Sequence, residues 1–332
     1  MKVLVLAPFS HDGIAQISSF GSVTHEDWRD TDVIWDPVEL GERATREGFE
    51  AIIVERDFLF DETFAAAPNL KVAGITRAGV NQIDVDAATA AGVIVINTPG
   101  RNANGVAELA IGLMFDVARR IAESDRYIRS GSWQSPTAPY MDLRGMELKG
   151  RTVGIIGFGA IGRRVAQITN ALGMTVIAHD PFVAEPRSEH DYVDMVPLDE
   201  LLESSDIVTL HSPPAEDGTP LLAAEELSSM KTGAFLINTA SAELVDSSAL
   251  AAELHSRHIA GAGYDIFETT PIEPSHPLSS LDNVVLTPHI GGATDESIER
   301  HSQMIATDLR KIATGELPNN LVNPGVWEHR RA

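Results

Sequence analysis

An apolar, β-branched strand that runs straight into three spaced glycines constrains this chain more than any other stretch. In RTVGIIGFGAIGRRVA, Gly157, Gly159 and Gly162 fall in the G-x-G-x-x-G spacing. The pattern alone is weak in a chain with 26 glycines. Its context makes it specific, because a helical pattern through Ile161, Val165 and Ile168 follows at once. Gly157 permits the tight turn, Gly159 lets the backbone approach a pyrophosphate, and Gly162 lets the helix pack on the strand. The helix start at Ala160 and Ile161 offers N–H groups and a partial positive charge to phosphates. The next strand, TVIAHD, ends in Asp180, close to the expected spacing of about 20 residues. Its carboxylate would accept hydrogen bonds from the adenosine ribose and repel a 2′-phosphate, so NAD is expected in preference to NADP. Arg163 and Arg164 either touch the phosphates or lie on a solvated helix face.

Around this point, short β-rich runs alternate with helical patterns, which predicts βαβ units and mostly parallel sheets. Strands are expected at Val3–Ala7, Ala51–Glu55, Val72–Ile75 and Val93–Asn97, then at Thr152–Gly157, Thr175–His179, Ile207–His211, Phe235–Asn238, His258–Asp265 and Val284–Thr287. Asn104 to Ser130 reads as one long helix, with Val106, Leu109, Leu113, Val117 and Ile121 on one face. A chain of 332 residues is long enough for two domains. No apolar run reaches the roughly 18 residues of a membrane span. The start, MKVLVLAPFS, reads as a first strand and not as a leader. With no cysteine, a reducing cytoplasm is the expected setting. A net charge of −23 argues against nucleic acid or an anionic membrane as partner. It also means that an anionic substrate would need a local positive site. No cluster has metal-ligand spacing, and no metal is expected.

Several further motifs occur together: NTPGRNANGVAEL at Asn97–Leu109, LHSPP at Leu210–Pro214, MKTGAFLINT at Met230–Thr239, AGYDIFE at Ala262–Glu268 and LTPHIGGAT at Leu286–Thr294. In this order and spacing the chain resembles the D-isomer-specific 2-hydroxyacid dehydrogenases over nearly its whole length. The resemblance implies two Rossmann-like or flavodoxin-like α/β domains. Residues 1–100 and 294–332 would form a discontinuous substrate domain, and residues 101–293 an inserted NAD domain. It also implies a small-molecule substrate in a cleft between the domains, and a homodimer. His211 of LHSPP and Asp265 of AGYDIFE fall at cofactor-binding positions, Asp265 at the one that meets the nicotinamide carboxamide.

In that family a histidine of the TPH motif exchanges the proton with the substrate oxygen, a glutamate keeps it charged, and an arginine of NTARG holds the substrate carboxylate. Each role has a physical reason. Hydride arriving at a carbonyl leaves an alkoxide that needs an acid with a pKa of about 7. A neighbouring carboxylate favours the charged imidazole, and the guanidinium fork matches a 2-oxo acid. Carried over residue by residue, the resemblance places the acid/base at His289, while the glutamate position falls on Thr270 and the arginine position on Ser241, with Ala242 after it.

The lost arginine matters more, since removing a desolvated partner of a carboxylate costs roughly 2–5 kcal/mol. Arg77 in GITRAGVNQID is the first candidate to replace it, and Arg101 the second. Glu268 could stand in for the glutamate. Trp133 is expected to pack, and His11, His255 and His258 to lie at helix starts or on solvated faces. Three readings follow: an oxidoreductase with an altered substrate, a catalytically inactive dinucleotide-binding sensor or scaffold, or an ordinary 2-oxo acid reductase with a shifted arginine.

Overall fold

The apolar runs of the first hundred residues assemble into a parallel sheet in a computed structural model, which describes residues 1–183 and 188–331. Strands β1 (Lys2–Leu6), β2 (Ser22–His25), β3 (Ala51–Val54), β4 (Val72–Ile75) and β5 (Ile94–Ile96) lie in the order β2-β1-β3-β4-β5. All four pairings are parallel, so this is the flavodoxin-like order, whose direction reverses between β1 and β3. The pleat sends alternate side chains to opposite faces. Val3, Val5 and Ile53 pack with Ile17, Ile305 and Leu309 from the helices His11–Ser18 and Asp295–Ala313. Leu4, Ile52 and Val54 pack with Leu40, Phe64 and Ala88 on the other face. Burial on both faces explains why these strands are continuously apolar.

A second sheet holds seven strands: β6 (Thr152–Ile156), β7 (Thr175–His179), β8 (Val193–Met195), β9 (Ile207–Leu210), β10 (Ala234–Asn238), β11 (Ile259–Tyr264) and β12 (Val284–Leu286). Their order is β12-β11-β10-β9-β6-β7-β8, parallel throughout. This is the doubly wound dinucleotide-binding order with one more strand, and it reverses between β6 and β9. Val153, Ile155 and Ile237 pack with Met114, Val165 and Ala166 on one face. Ile156, Leu236 and Tyr264 pack with Leu202, Leu227 and Leu250 on the other. The chain divides into two compact units, Met1–Asn102 with Thr294–Ala332, and Ala103–Ala293. No helix among the described residues is long and apolar enough to cross a membrane.

Two expectations fail locally. The long helix is broken into Ala103–Arg119 and Ile121–Arg129, because Arg120 turns left-handed at φ 54°. Asp116 Oδ1 accepts the Ala122 N–H at 2.8 Å and so caps the restarted helix. The Arg120 guanidinium binds both Glu123 oxygens at 2.6 Å and also reaches the Asp142 carbonyl. Trp133 does not pack: it is 55% exposed, with its indole N–H on the Ser135 carbonyl.

Candidate active site

The glycine turn sits at the reversal point of the second sheet. Gly157 has φ 91°, and a Cβ there would lie 2.5 Å from the Ser212 nitrogen, just past the end of β9. A Cβ on Gly162 would lie 2.1 Å from the Gly157 carbonyl oxygen, so neither position admits a side chain. Gly159 is different. It precedes the helix Ala160–Ala171, and the space where its Cβ would point is open to 4 Å. Asp180 braces the turn, since Oδ2 accepts the Phe158 N–H at 2.8 Å and Oδ1 the Phe182 N–H at 2.9 Å. Arg163 donates Nε–H to the Phe158 carbonyl at 2.9 Å and so clasps the turn. Arg164 donates to Gln167 on its own helix.

The end of β9 carries polar atoms that lack partners. His211 Nδ1 and Ser212 Oγ are buried with no hydrogen bond among the described residues. His211 Nε2 lies 2.9 Å from Thr209 Oγ1, and burial pushes the imidazole down to about 3, so it is neutral. Buried polar atoms are normally paired. Together with the open approach at Gly159, these orphans fit a bound dinucleotide.

Asp265 ends β11 and is only 1% exposed. Its Oδ1 accepts the Thr287 hydroxyl at 2.6 Å and the Ile290 N–H at 2.9 Å, and its Oδ2 accepts the Gly291 N–H at 2.8 Å. One carboxylate thereby frames the Thr287–Gly291 loop. His289 lies at the crest of that loop, exposed and left-handed at φ 55°. Sequence reasoning gave Asp265 a cofactor contact and missed this bracing; TPHIGG hinted at it only through its paired glycines and threonine.

The arginine position is a small polar clamp. Asn238, fully buried, donates Nδ2–H to the Ser241 carbonyl at 2.7 Å and accepts the Ala240 N–H at 3.0 Å. Ser241 is extended and donates its hydroxyl to Glu243 Oε2 at 2.8 Å. Thr239 Oγ1 is buried without a partner among the described residues. Thr270 is exposed in the loop after β11. Glu268, the envisaged stand-in for the missing glutamate, has partners of its own. Its oxygens take the Ser247 hydroxyl at 2.6 Å and His276 Nε2 at 3.0 Å. His276 Nδ1 accepts the Leu278 N–H, which leaves the proton on Nε2 for Glu268. Burial disfavours the Glu268 charge, but these donors outweigh it and hold the carboxyl below the usual range.

In the first unit, Arg77 follows β4, exposed and in no ion pair among the described residues. Its carbonyl accepts the Thr98 N–H at 2.9 Å, and the Thr98 hydroxyl is buried without a partner among the described residues. Arg101 is committed elsewhere. It binds Glu55 Oε1 at 3.1 Å and His301 Nδ1 at 3.2 Å. His301 Nε2 meets the Pro8 carbonyl at 2.8 Å, and Glu55 Oε2 accepts the Trp28 indole N–H at 3.0 Å. A carbonyl on one side and a guanidinium on the other fix the Nε2–H tautomer. Burial pushes His301 down to about 4. This network bridges the ends of β1 and β3, where that sheet reverses.

A family model described as "D-isomer specific 2-hydroxyacid dehydrogenase, NAD binding domain" matches residues 111–291. A glyoxylate reductase of Korarchaeum cryptofilum is 42% identical over 269 residues, covering 81% of this chain and 81% of the relative. The crystal structure of the TT0316 protein from Thermus thermophilus is similar at TM-score 0.83 and 34% identity, over 97% of this chain and 100% of that one. An acyclic imino acid reductase, Bsp5, solved in complex with NADPH and D-Arg, is similar at TM-score 0.81 and 28% identity, over 97% and 100% of the two chains.

Proposed function

Because the chain belongs to the D-isomer-specific 2-hydroxyacid dehydrogenases, NAD-dependent oxidoreductases acting on CH–OH groups, we propose that it serves a substrate other than a plain 2-hydroxy acid. The dinucleotide, when bound, supplies or takes up the hydride. Gly159 would leave room for the pyrophosphate, Gly157 and Gly162 let the turn and helix close tightly behind it, and the N–H groups of Ala160 and Ile161 would hold the phosphates. Asp180 still has lone pairs for the adenosine ribose after serving Phe158 and Phe182. Its charge opposes a 2′-phosphate, which favours NAD. His211 and Ser212 offer the cofactor their unpartnered atoms.

His289 gives a proton to the substrate oxygen in reduction and takes it back in oxidation. Asp265 acts through the loop, holding the backbone on either side of that histidine. Ser241 and Thr270 line the substrate pocket in place of arginine and glutamate. Arg77 is the cation proposed for any anionic part of the substrate, since Arg101 is engaged with Glu55 and His301. The observation that carries the proposal is the extended Ser241, its hydroxyl given to Glu243, where the resemblance puts an arginine; His289, on the loop fixed by Asp265, supplies the acid/base in the same unit as the glycine turn.

The test is NADH consumption against glyoxylate, hydroxypyruvate, pyruvate and neutral carbonyls, beside calorimetric NADH binding. Turnover of neutral carbonyls that falls at least about 100-fold in His289→Asn supports the proposal. NADH binding with no turnover on any of them supports an inactive dinucleotide-binding protein instead. A homodimer is proposed from Ile121, Ile128, Tyr140 and Met141, apolar side chains exposed in one stretch of the second unit. Light scattering giving the mass of one chain would refute it. The absence of cysteine suits a reducing compartment such as the cytoplasm.

A further inference from the structure

We infer that the strand tip Asn238–Glu243 selects a substrate carrying a cationic nitrogen, an ammonium or iminium group near the reacting carbon, where relatives with arginine would take a carboxylate. This rests on the function proposed above and names the substrate class of that site.

Ser241 has one hydroxyl proton, and it goes to Glu243 Oε2 at 2.8 Å. The pair therefore shows a ligand only oxygen lone pairs and a negative charge. An arginine would show a fork of donors and a positive charge. The geometry is held and not incidental, because Asn238 grips the Ser241 carbonyl and the Ala240 N–H from a fully buried position. Glu243 is exposed and in no ion pair among the described residues.

The second observation is independent. Thr239, 5% exposed and two residues before Ser241, keeps a buried hydroxyl with no partner among the described residues. A hydroxyl of this kind can accept an N–H. Asp246, three residues beyond Glu243, is taken up by the Ser248 and Ala249 N–H groups, and Glu268 by Ser247 and His276. The net charge of −23 points the same way, concentrating cations and excluding anions. A substrate carboxylate at this tip loses its cation and gains a like charge, so discrimination against it should be on the order of 100-fold or more. The step itself is ordinary: hydride passes to the carbonyl carbon and His289 supplies the proton to its oxygen.

A two-carbon aldehyde series varies the charge beside the reacting carbon with little change in size: glyoxylate, glycolaldehyde and aminoacetaldehyde, each with NADH. The full-length protein should prefer aminoacetaldehyde to glyoxylate in kcat/KM by about 100-fold. Glu243→Gln should cut that ratio at least roughly tenfold, and Ser241→Arg with Glu243→Gln should reverse it. Calorimetry gives a reading without turnover: ethanolamine should bind the NAD complex more tightly than glycolate, and Glu243→Gln should abolish the difference. A ratio indifferent to Glu243 overturns the inference while leaving the proposed function standing, whereas faster reduction of glyoxylate than of aminoacetaldehyde overturns both. Failure to reduce any of the three while ethanolamine still binds in a Glu243-dependent way overturns the proposed function and supports the charge selection. Loss of both readings overturns both.

Discussion

Replacing Asp265 with asparagine separates two tasks that one carboxylate could perform. Its Oδ1 serves the Thr287 hydroxyl and the Ile290 N–H, and its Oδ2 serves the Gly291 N–H, all within 2.9 Å. An amide is isosteric but can accept on one side only. With its oxygen toward Ile290, its NH2 points at the Gly291 N–H; flipped, it points at the Ile290 N–H. Either way a buried backbone donor goes unmet and faces another donor, at a cost of about 1–3 kcal/mol. If that strain is spent on misplacing His289, turnover falls roughly 5- to 150-fold. The assay is kcat/KM on the best carbonyl substrate, with NADH Kd by calorimetry in the same buffer. Turnover should fall by that factor while NADH Kd moves less than about threefold. An NADH Kd weakened more than tenfold with kcat unchanged would refute the bracing argument and make Asp265 a cofactor contact.

Gly162→Ala places a Cβ 2.1 Å from the Gly157 carbonyl oxygen and should cost about 1–3 kcal/mol in a denaturant melt. Gly159→Ala meets nothing within 4 Å, so its melting temperature should hold while NADH affinity falls. His301 is pushed down to about 4 in the folded chain, against about 6.5 unfolded. The unfolded state therefore binds the proton more readily. Stability is full above pH 6.5 and is lost as pH falls toward 4, by up to about 3 kcal/mol, and urea melts of His301→Gln should show a flatter dependence. Glu268→Ala should lower the melting temperature yet leave the pH profile of turnover unmoved; a displaced profile would restore Glu268 as the partner of His289. Asp180→Ala should narrow the preference for NADH over NADPH, read as the ratio of their Kd values.

Family and fold class were legible because the signals that carry them are local. The glycine spacing states its steric demands within a few residues, and buried parallel strands announce themselves as apolar runs. What escaped was set by which side chains and strands the fold brings together, some of them far apart along the chain. β2, SVTH, and β8, VDM, are short and half polar, and only register with β1 and β7 makes them strands. Arg120 breaks its helix because Asp116, Glu123 and Asp142 reward a left-handed residue, and no propensity of arginine foretells that. At the candidate site, the change at position 241 was visible as a letter, but its bond to Glu243 was not. The bracing by Asp265 spans more than twenty residues, and the commitment of Glu268 to Ser247 spans about as many.

The network of Arg101, His301, Glu55 and Trp28 has a meaning beyond its own bonds. Open sheets of this kind offer a natural crevice wherever their strand order reverses, and this chain contains two such sheets. In one, glycines and orphaned polar atoms leave the crevice open; in the other, the chain has stoppered it with its own cation and imidazole. Two copies of one architectural plan thus divide into a socket and a blank. The stopper is made of side chains, not backbone, so trimming Arg101 and His301 would empty the crevice while leaving Glu55 and the Pro8 carbonyl without these partners.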